Sequence, residues 1–464
     1  MSTFASTRTE MHSPLRYHVN SHPNRTEPMI ANHEPIAKDG GATNMNLVAT
    51  QAAEQKLLLS TYDRHPVLFT RGEGVHLVDD AGTRYLDLLS GIGVCGLGYN
   101  HPAINKAIAE QVATGLLHTS NLFFHSHTAT LALKLTELTG MDRVFLCNSG
   151  TEAWEAALKL ARAHAELLRS EGKHIGTRIL ALEHSFHGRT MGSVATTHKH
   201  KYREPFQPVM PGVTFVPFND VDALRSAFSE DICAICIEPL QGEGGIHPVP
   251  QEFFAAAREL CDSTGALLLA DEIQSGMGRT GKWCAYQHTG IQPDVTTLAK
   301  PIAGGLPMGA MCCNEEAARA ITPGMHGTTF GGGPLVCAVA LAVIDEIERS
   351  SLLDHVSEVG AYFKQQLEEF ASRHPVVAEV RGMGLMLGMD MHSAEIAGEL
   401  QGRMMLEKHI LLNRTSETVL RFLPPFLLTH AQVDETIAAL ESLLPEIEAK
   451  QTSEVEAAGE AVHG

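Results

Sequence analysis

At 464 residues the chain exceeds what one ordinary hydrophobic core supports, which points to about two to three domains or one large α/β unit with a satellite. Its 35 Lys and Arg stand against 54 Asp and Glu, and a formal net charge of −19 excludes nucleic acid or an anionic membrane as the main partner. No run approaches the roughly 18 apolar residues of a membrane span and the N-terminus lacks an apolar signal core, so a cytoplasmic protein is expected.

Residues 1–48 are polar, rich in Ser, Thr, Asn and Pro, and without periodicity, as in a flexible extension. Arg8, Arg16 and Arg25 are interleaved with Glu10, Glu27, Glu34 and Asp39, which spoils the acid-poor signature of a transit peptide. Next, 75–78 and 85–89 flank the turn Asp79-Asp80-Ala81-Gly82 as a hairpin. Gly91-x-Gly93-x-x-Gly96 mimics a dinucleotide fingerprint, but Tyr99-Asn100-His101-Pro102 separates it from the next helix, so a flexible loop is expected.

A strand at 144–147 then leads into a helix whose positions Trp154, Ala157, Leu158, Ala161, Ala165 and Leu168 follow the 3.6-residue period. The turn between them, Asn148-Ser149-Gly150-Thr151, suits a phosphate: helix N-terminal amides and dipole attract an anion, and Gly150 permits close approach. An ordinary Ser or Thr N-cap, with Glu152 and Glu155 favoured by the dipole, explains the same residues, and locally both readings stay open.

Further strands are expected at 178–182, 232–238, 266–270 and 294–298, alternating with helices around a mostly parallel sheet. Cys233-x-x-Cys236 lies within one of them, where residues three apart face opposite sides. With no second Cys or His pair at zinc spacing, the nine cysteines read as packed, reduced thiols, and no metal is expected. Asp271 ends the apolar run 266–270, where open α/β sheets bind ligands, and Lys300 follows the next strand. Such a carboxylate can hold a pyridine nitrogen protonated while the lysine forms a Schiff base with pyridoxal phosphate. A turn acid and a solvated lysine are the local alternative.

Gly276-x-x-x-x-Gly281-Lys282 nearly spells a P-loop, but Trp283 stands where Ser or Thr must ligate magnesium, and this too reads as a flexible loop. From about 334 longer helices dominate, followed by strands at 377–381 and 384–390, a helix at 431–448, and a polar tail expected to fray.

The order of motifs is specific: Ser149-Gly150-Thr151-Glu152-Ala153, Ser185-Phe186-His187-Gly188-Arg189-Thr190, Glu238-Pro239-Leu240-Gln241-Gly242-Glu243-Gly244, Asp271 to Gln274, Lys300, and His326-Gly327-Thr328-Thr329-Phe330-Gly331-Gly332. Across about residues 55–448 the chain resembles the class III pyridoxal-phosphate aminotransferases, most of all those acting on N2-acetylornithine. The resemblance implies an α/β, fold-type I transferase whose large domain holds a mostly parallel seven-stranded sheet, with a smaller α+β terminal domain. Its implied divisions are 1–48, a flexible extension; 49–105, a segment joining the small domain; 106–344, the large cofactor domain; 345–449, the C-terminal small domain; and 450–464, a flexible tail.

It also implies residue roles. Lys300 carries the pyridoxal 5'-phosphate, Asp271 pairs with its ring nitrogen, Gln274 sits beside the ring oxygen, and Phe186 stacks on the ring. Gly150 and Thr151 bind the phosphate, and Thr329 reaches the phosphate of a neighbouring subunit, so a homodimer with shared active sites is implied. Arg189 takes the distal substrate carboxylate and Arg421 the α-carboxylate of glutamate. Glu243 masks Arg421 when the ω-amino substrate is bound, and Thr328 places a hydroxyl near the substrate. The implied reaction moves the δ-amino group of N2-acetylornithine to 2-oxoglutarate, giving N-acetylglutamate 5-semialdehyde and glutamate. Related ω-amino donors are 4-aminobutyrate, ornithine, succinylornithine and N-succinyl-diaminopimelate. Gly91-Ile92 stands where ornithine-specific relatives carry a tyrosine, which disfavours ornithine. Trp154, Thr328 and Gly333 depart from the commonest pattern of Asn, Ser and Asn.

Overall fold

The computed structural model describes residues 46–463. Most of the expected N-terminal extension, residues 1–45, lies outside them. Residues up to Arg64 and from His65 onward form separate compact units. In the first, Asn46 caps the helix Leu47–Leu57 by accepting from the Ala49 amide at 2.9 Å. Arg64 pairs with Glu54 at 3.3 Å, so the expected extension ends in a helix at Leu47.

The second unit is built on a seven-stranded sheet ordered Arg143–Cys147, Gly309–Cys313, Val295–Leu298, Leu267–Asp271, Ile232–Ile237, Arg178–Leu182, Val213–Val216. Gly309–Cys313 is antiparallel to both neighbours, and the remaining pairings are parallel. Helices cover the sheet, so its central strands are buried on both faces; every residue of Ile232–Ile237 is buried. Parallel register sets Asp271 beside Thr297 at the carboxyl end, which brings the ends of two strands distant in sequence to one place.

The expected strands at 144–147, 178–182, 232–238, 266–270 and 294–298 are present to within about a residue. Two were missed. Val213–Val216 has only four residues, and Gly309–Cys313 reads Gly-Ala-Met-Cys-Cys, without a β-branched or aromatic residue. The hairpin is found as His76–Asp79 paired with Arg84–Asp87. Ile410–Leu411 adds to it in parallel, tying this early segment to the C-terminal part.

A second sheet pairs Val377–Met383, Met386–Met391, Val419–Phe422 and Asn413–Arg414 in antiparallel fashion. Its core is separate: Phe363, Phe370, Leu387, Met404, Phe422 and Leu440 pack together, apart from the cluster around the seven-stranded sheet. The last helix, His430–His463, runs beyond 448 through the segment expected to fray, where Glu and Ala, strong helix formers, dominate the sequence. Among the described residues no helix is long and apolar enough to cross a membrane.

Both glycine loops depart from the flexible reading. Ser90, Gly91, Ile92 and Gly93 all have positive φ, forming a left-handed turn closed by the Gly93 and Val94 amides on Leu89 and Ser90 carbonyls. A Cβ on Gly281 would lie 2.1 Å from Ser357 Oγ, so this glycine serves close packing. All nine cysteines are free, and eight are buried.

Candidate active site

Asp271 is the last residue of its strand and 4% exposed. Its Oδ1 accepts from the Thr297 hydroxyl and the Ile273 amide, each at 3.1 Å, and Oδ2 lies 2.7 Å from His187 Nδ1. Three partners thus fix this carboxylate. Lys300 opens the 3-10 turn Lys300–Ala303 after Val295–Leu298, with φ +45. Pro301 disfavours right-handed helical backbone at the residue before it, and the left-handed form costs a non-glycine residue about 1 kcal/mol. Strain of this kind is retained where a side chain must be aimed.

Both side chains line one cavity of about 330 Å³, together with Gly150, Thr151, Phe186, Glu238 and Gln274. Withdrawal from water lowers the Lys300 amine to about 8; Glu243, Asp271 and Glu238 oppose the shift, whereas Arg421 adds to it.

One wall is the N-terminus of the helix Gly150–Ser170, capped by Ser149 accepting from the Glu152 amide at 3.3 Å. Ser149 caps, and the Gly150 end still faces the cavity, so the cap does not compete with the phosphate reading. A Cβ at Gly150 would lie 2.8 Å from Ile273 Cγ2, so only glycine lets this end approach the loop after Asp271. The Thr151 hydroxyl lies 2.8 Å from those of Thr190 and Ser193.

Opposite, Glu238 is buried and accepts from the Phe186 and Gly242 amides at 2.8 and 3.1 Å. Burial, with Asp271 nearby, raises its carboxyl to about 7 despite those bonds and His187. Arg421 projects from Val419–Phe422 and is fully buried. Its Nη1 donates to Glu243 Oε1 at 2.5 Å and to Gln274 Oε1 at 3.0 Å, and Nε donates to Asn413 Oδ1 at 3.2 Å. Nη2 is buried without a partner among the described residues, a donor left for an oxygen ligand. Burial raises the Glu243 carboxyl, but Arg421 and Lys300 outweigh it and hold the group below its ordinary value.

Five expected site residues stand outside the cavity lining: Arg421 and Glu243, paired with each other, and Arg189, Thr328 and Thr329. Arg189 is exposed, its guanidinium 3.6 Å from the centre of the Tyr202 ring and 5.5 Å from that of Phe186. Thr328 accepts from Asn148 Nδ2 at 2.9 Å, and Thr329 is exposed. His187, Glu238 and Thr297, by contrast, were given no role from the sequence. His187 and Asp271 are 84 positions apart and meet only through the sheet, so no local spacing signals them.

A family model described as aminotransferase class-III matches residues 59–444. The chain is 45% identical to acetylornithine aminotransferase of Methanocaldococcus jannaschii over 85% of this chain and 97% of that one. It is 46% identical to acetylornithine aminotransferase 1 of Bordetella pertussis, covering 85% of this chain and 99% of that one. Among solved structures, acetylornithine aminotransferase from Elizabethkingia anophelis has a TM-score of 0.76 at 32% identity, covering 87% of this chain and 100% of that one. Ornithine aminotransferase from Toxoplasma gondii ME49 has a TM-score of 0.83 at 29% identity, covering 88% and 97%. The shared backbone thus spans relatives named for different amino donors, and the chain belongs to the class-III aminotransferases.

Proposed function

We propose that this chain transfers the δ-amino group of N2-acetylornithine to 2-oxoglutarate, using pyridoxal 5'-phosphate. The observation that carries the reading is the arrangement of the site: a carboxylate fixed by three partners, a lysine amine lowered to about 8, and, bonded to the cavity-lining Gln274, a buried guanidinium with a donor unpaired among the described residues. Identity of 43–46% to relatives named acetylornithine aminotransferase supports that donor.

The residues present fit the cofactor. Asp271 would meet the ring nitrogen, Lys300 the aldehyde and Phe186 the ring face, while Gly150 and Thr151 at the helix N-terminus would hold the phosphate. Gln274 would lie beside the ring oxygen. When bound, pyridoxal phosphate supplies a carbonyl that takes up an amino group and a conjugated ring that spreads the electron pair left by a departing proton.

The protein's own part is positioning and proton transfer. Asp271 would hold a positive charge at the ring nitrogen, and Lys300, neutral in part near pH 7, would take the proton from the δ-carbon and deliver one to the carbon that was the cofactor's aldehyde carbon. Arg421 grips the α-carboxylate of glutamate through its planar fork, whereas Glu243 occupies that fork for the other substrate. One site then accepts two differently charged substrates in turn. Arg189 would leave Tyr202 to meet the distal carboxylate, with the Thr328 hydroxyl nearby.

The exposed Thr329 fits a homodimer in which it reaches the partner's phosphate site. We retain the division into a cofactor domain at 106–344 and a small domain at 345–449, supported by two separate apolar cores. Nine unbridged thiols support a reducing, cytoplasmic setting.

Glu243→Ala tests the reading in single-turnover half-reactions. The N2-acetylornithine half-reaction should slow roughly 10- to 100-fold while that with glutamate changes less than about threefold, because only the first needs Arg421 neutralised. Equal losses in both would refute the exchange at Arg421.

A further inference from the structure

Trp154 is the fifth residue of the helix Gly150–Ser170, whose N-terminus faces the cavity, and its side chain is fully buried. The indole stacks on the His187 imidazole, with ring centroids 4.1 Å apart and planes 8° from parallel. Its N–H donates to Thr196 Oγ1 at 2.9 Å, and the backbone N–H of His187 donates to Thr197 Oγ1 at 3.0 Å. Adjacent threonines of one segment thus anchor the indole and the mount of the imidazole.

On its edge, His187 Nδ1 lies 2.7 Å from Asp271 Oδ2. An ionised carboxylate only accepts, so Nδ1 carries the proton. Nε2 is buried without a hydrogen-bond partner among the described residues. No second hydrogen bond therefore sets the ring's orientation. Rotation by half a turn would exchange Nδ1 for a carbon and strip Asp271 of its shortest bond.

We propose that Trp154 is a positioning residue: its stack holds His187 in the one orientation from which Nδ1–H fixes the Asp271 carboxylate toward the cofactor's ring nitrogen. This rests on the cofactor reading of Asp271 given above. Filling a hole in the core asks only for volume. Near-parallel overlap with an anchored indole N–H, on a ring with no other face contact of that kind among the described residues, meets an orientational need.

The test compares release of bound pyridoxal phosphate and its absorption band, at one pH, in variants that melt cooperatively. Trp154→Phe keeps the stack and should release cofactor within about twofold of the parent rate. Trp154→Leu keeps apolar volume without the stack and should release it roughly tenfold faster with a displaced band. His187→Asn, whose amide can replace Nδ1–H, should retain cofactor better than His187→Leu. The Trp154→Leu/His187→Leu double variant should be no worse than His187→Leu alone, because one residue acts through the other.

A folded Trp154→Leu variant with the parent's band and release rate, or additive losses in the double variant, would overturn the proposal. Should Trp154→Leu not fold, 15N-histidine spectra of the unsubstituted cofactor-free protein decide: His187 as the Nδ1–H tautomer supports the relay, and Nε2–H overturns it. Failure of the parent to bind pyridoxal phosphate would instead sink the cofactor reading, which the tautomer measurement does not depend on.

Discussion

Lys300→Ala is expected to lower turnover about 10⁴-fold, the largest loss from any single substitution in this cavity. Among the described residues no other amine lines the cavity, so no other group there can form the bond to the cofactor's aldehyde. A lysine reacts as the neutral amine. At about 8, roughly one-tenth of Lys300 is neutral at pH 7, against about one in 3000 for an ordinary lysine. Because deprotonation proceeds as pH rises, capture of pyridoxal phosphate by cofactor-free protein should accelerate through pH 8 and then level off. Borohydride should fix the cofactor onto Lys300 in the parent and leave no adduct in the variant. Unmodified Lys300 recovered from cofactor-loaded, borohydride-treated parent would contradict the assignment.

Arg421→Leu should lower kcat/KM for glutamate by about 30-fold to several thousand-fold, the range for truncating one partner of a buried charge pair. Arg421 is fully buried and bonded to Glu243, Gln274 and Asn413. Leucine fills similar space but offers no donor. Glu243 is then left beside Lys300 without its main partner, so its carboxyl should rise toward and above its ordinary value. Arg421→Lys should recover little, since a single ammonium cannot reproduce the fork. A loss below about tenfold for glutamate would remove Arg421 from carboxylate recognition.

The parts of the site that lie at strand ends were legible in the sequence. Asp271 and Lys300 each follow a short apolar run, and parallel pairing must bring such ends together. The Ser149 turn was legible as a helix start, and its two local readings turned out to be compatible. What the sequence hid depends on tertiary geometry. His187 meets Asp271 only through the sheet, and the exposed Arg189 is held against Tyr202, a partner no spacing suggests.

Glycines misled for a related reason. A Cβ on Gly96 would lie 2.8 Å from the Phe426 ring, and one on Gly276 would lie 2.6 Å from the Glu272 carbonyl oxygen. Both are required by close approach rather than by mobility. The antiparallel strand Gly309–Cys313 was equally hidden, because small residues that fit a crowded sheet lack the branched signature of a strand.

The donor is the central claim, and side chains rather than backbone decide it, since acetylornithine and ornithine aminotransferases share this backbone. The most direct measurement is kcat/KM with 2-oxoglutarate as acceptor for N2-acetylornithine, ornithine and 4-aminobutyrate, side by side on the purified holoenzyme. N2-acetylornithine should exceed both others by at least about tenfold. Faster turnover of ornithine or 4-aminobutyrate would contradict the account.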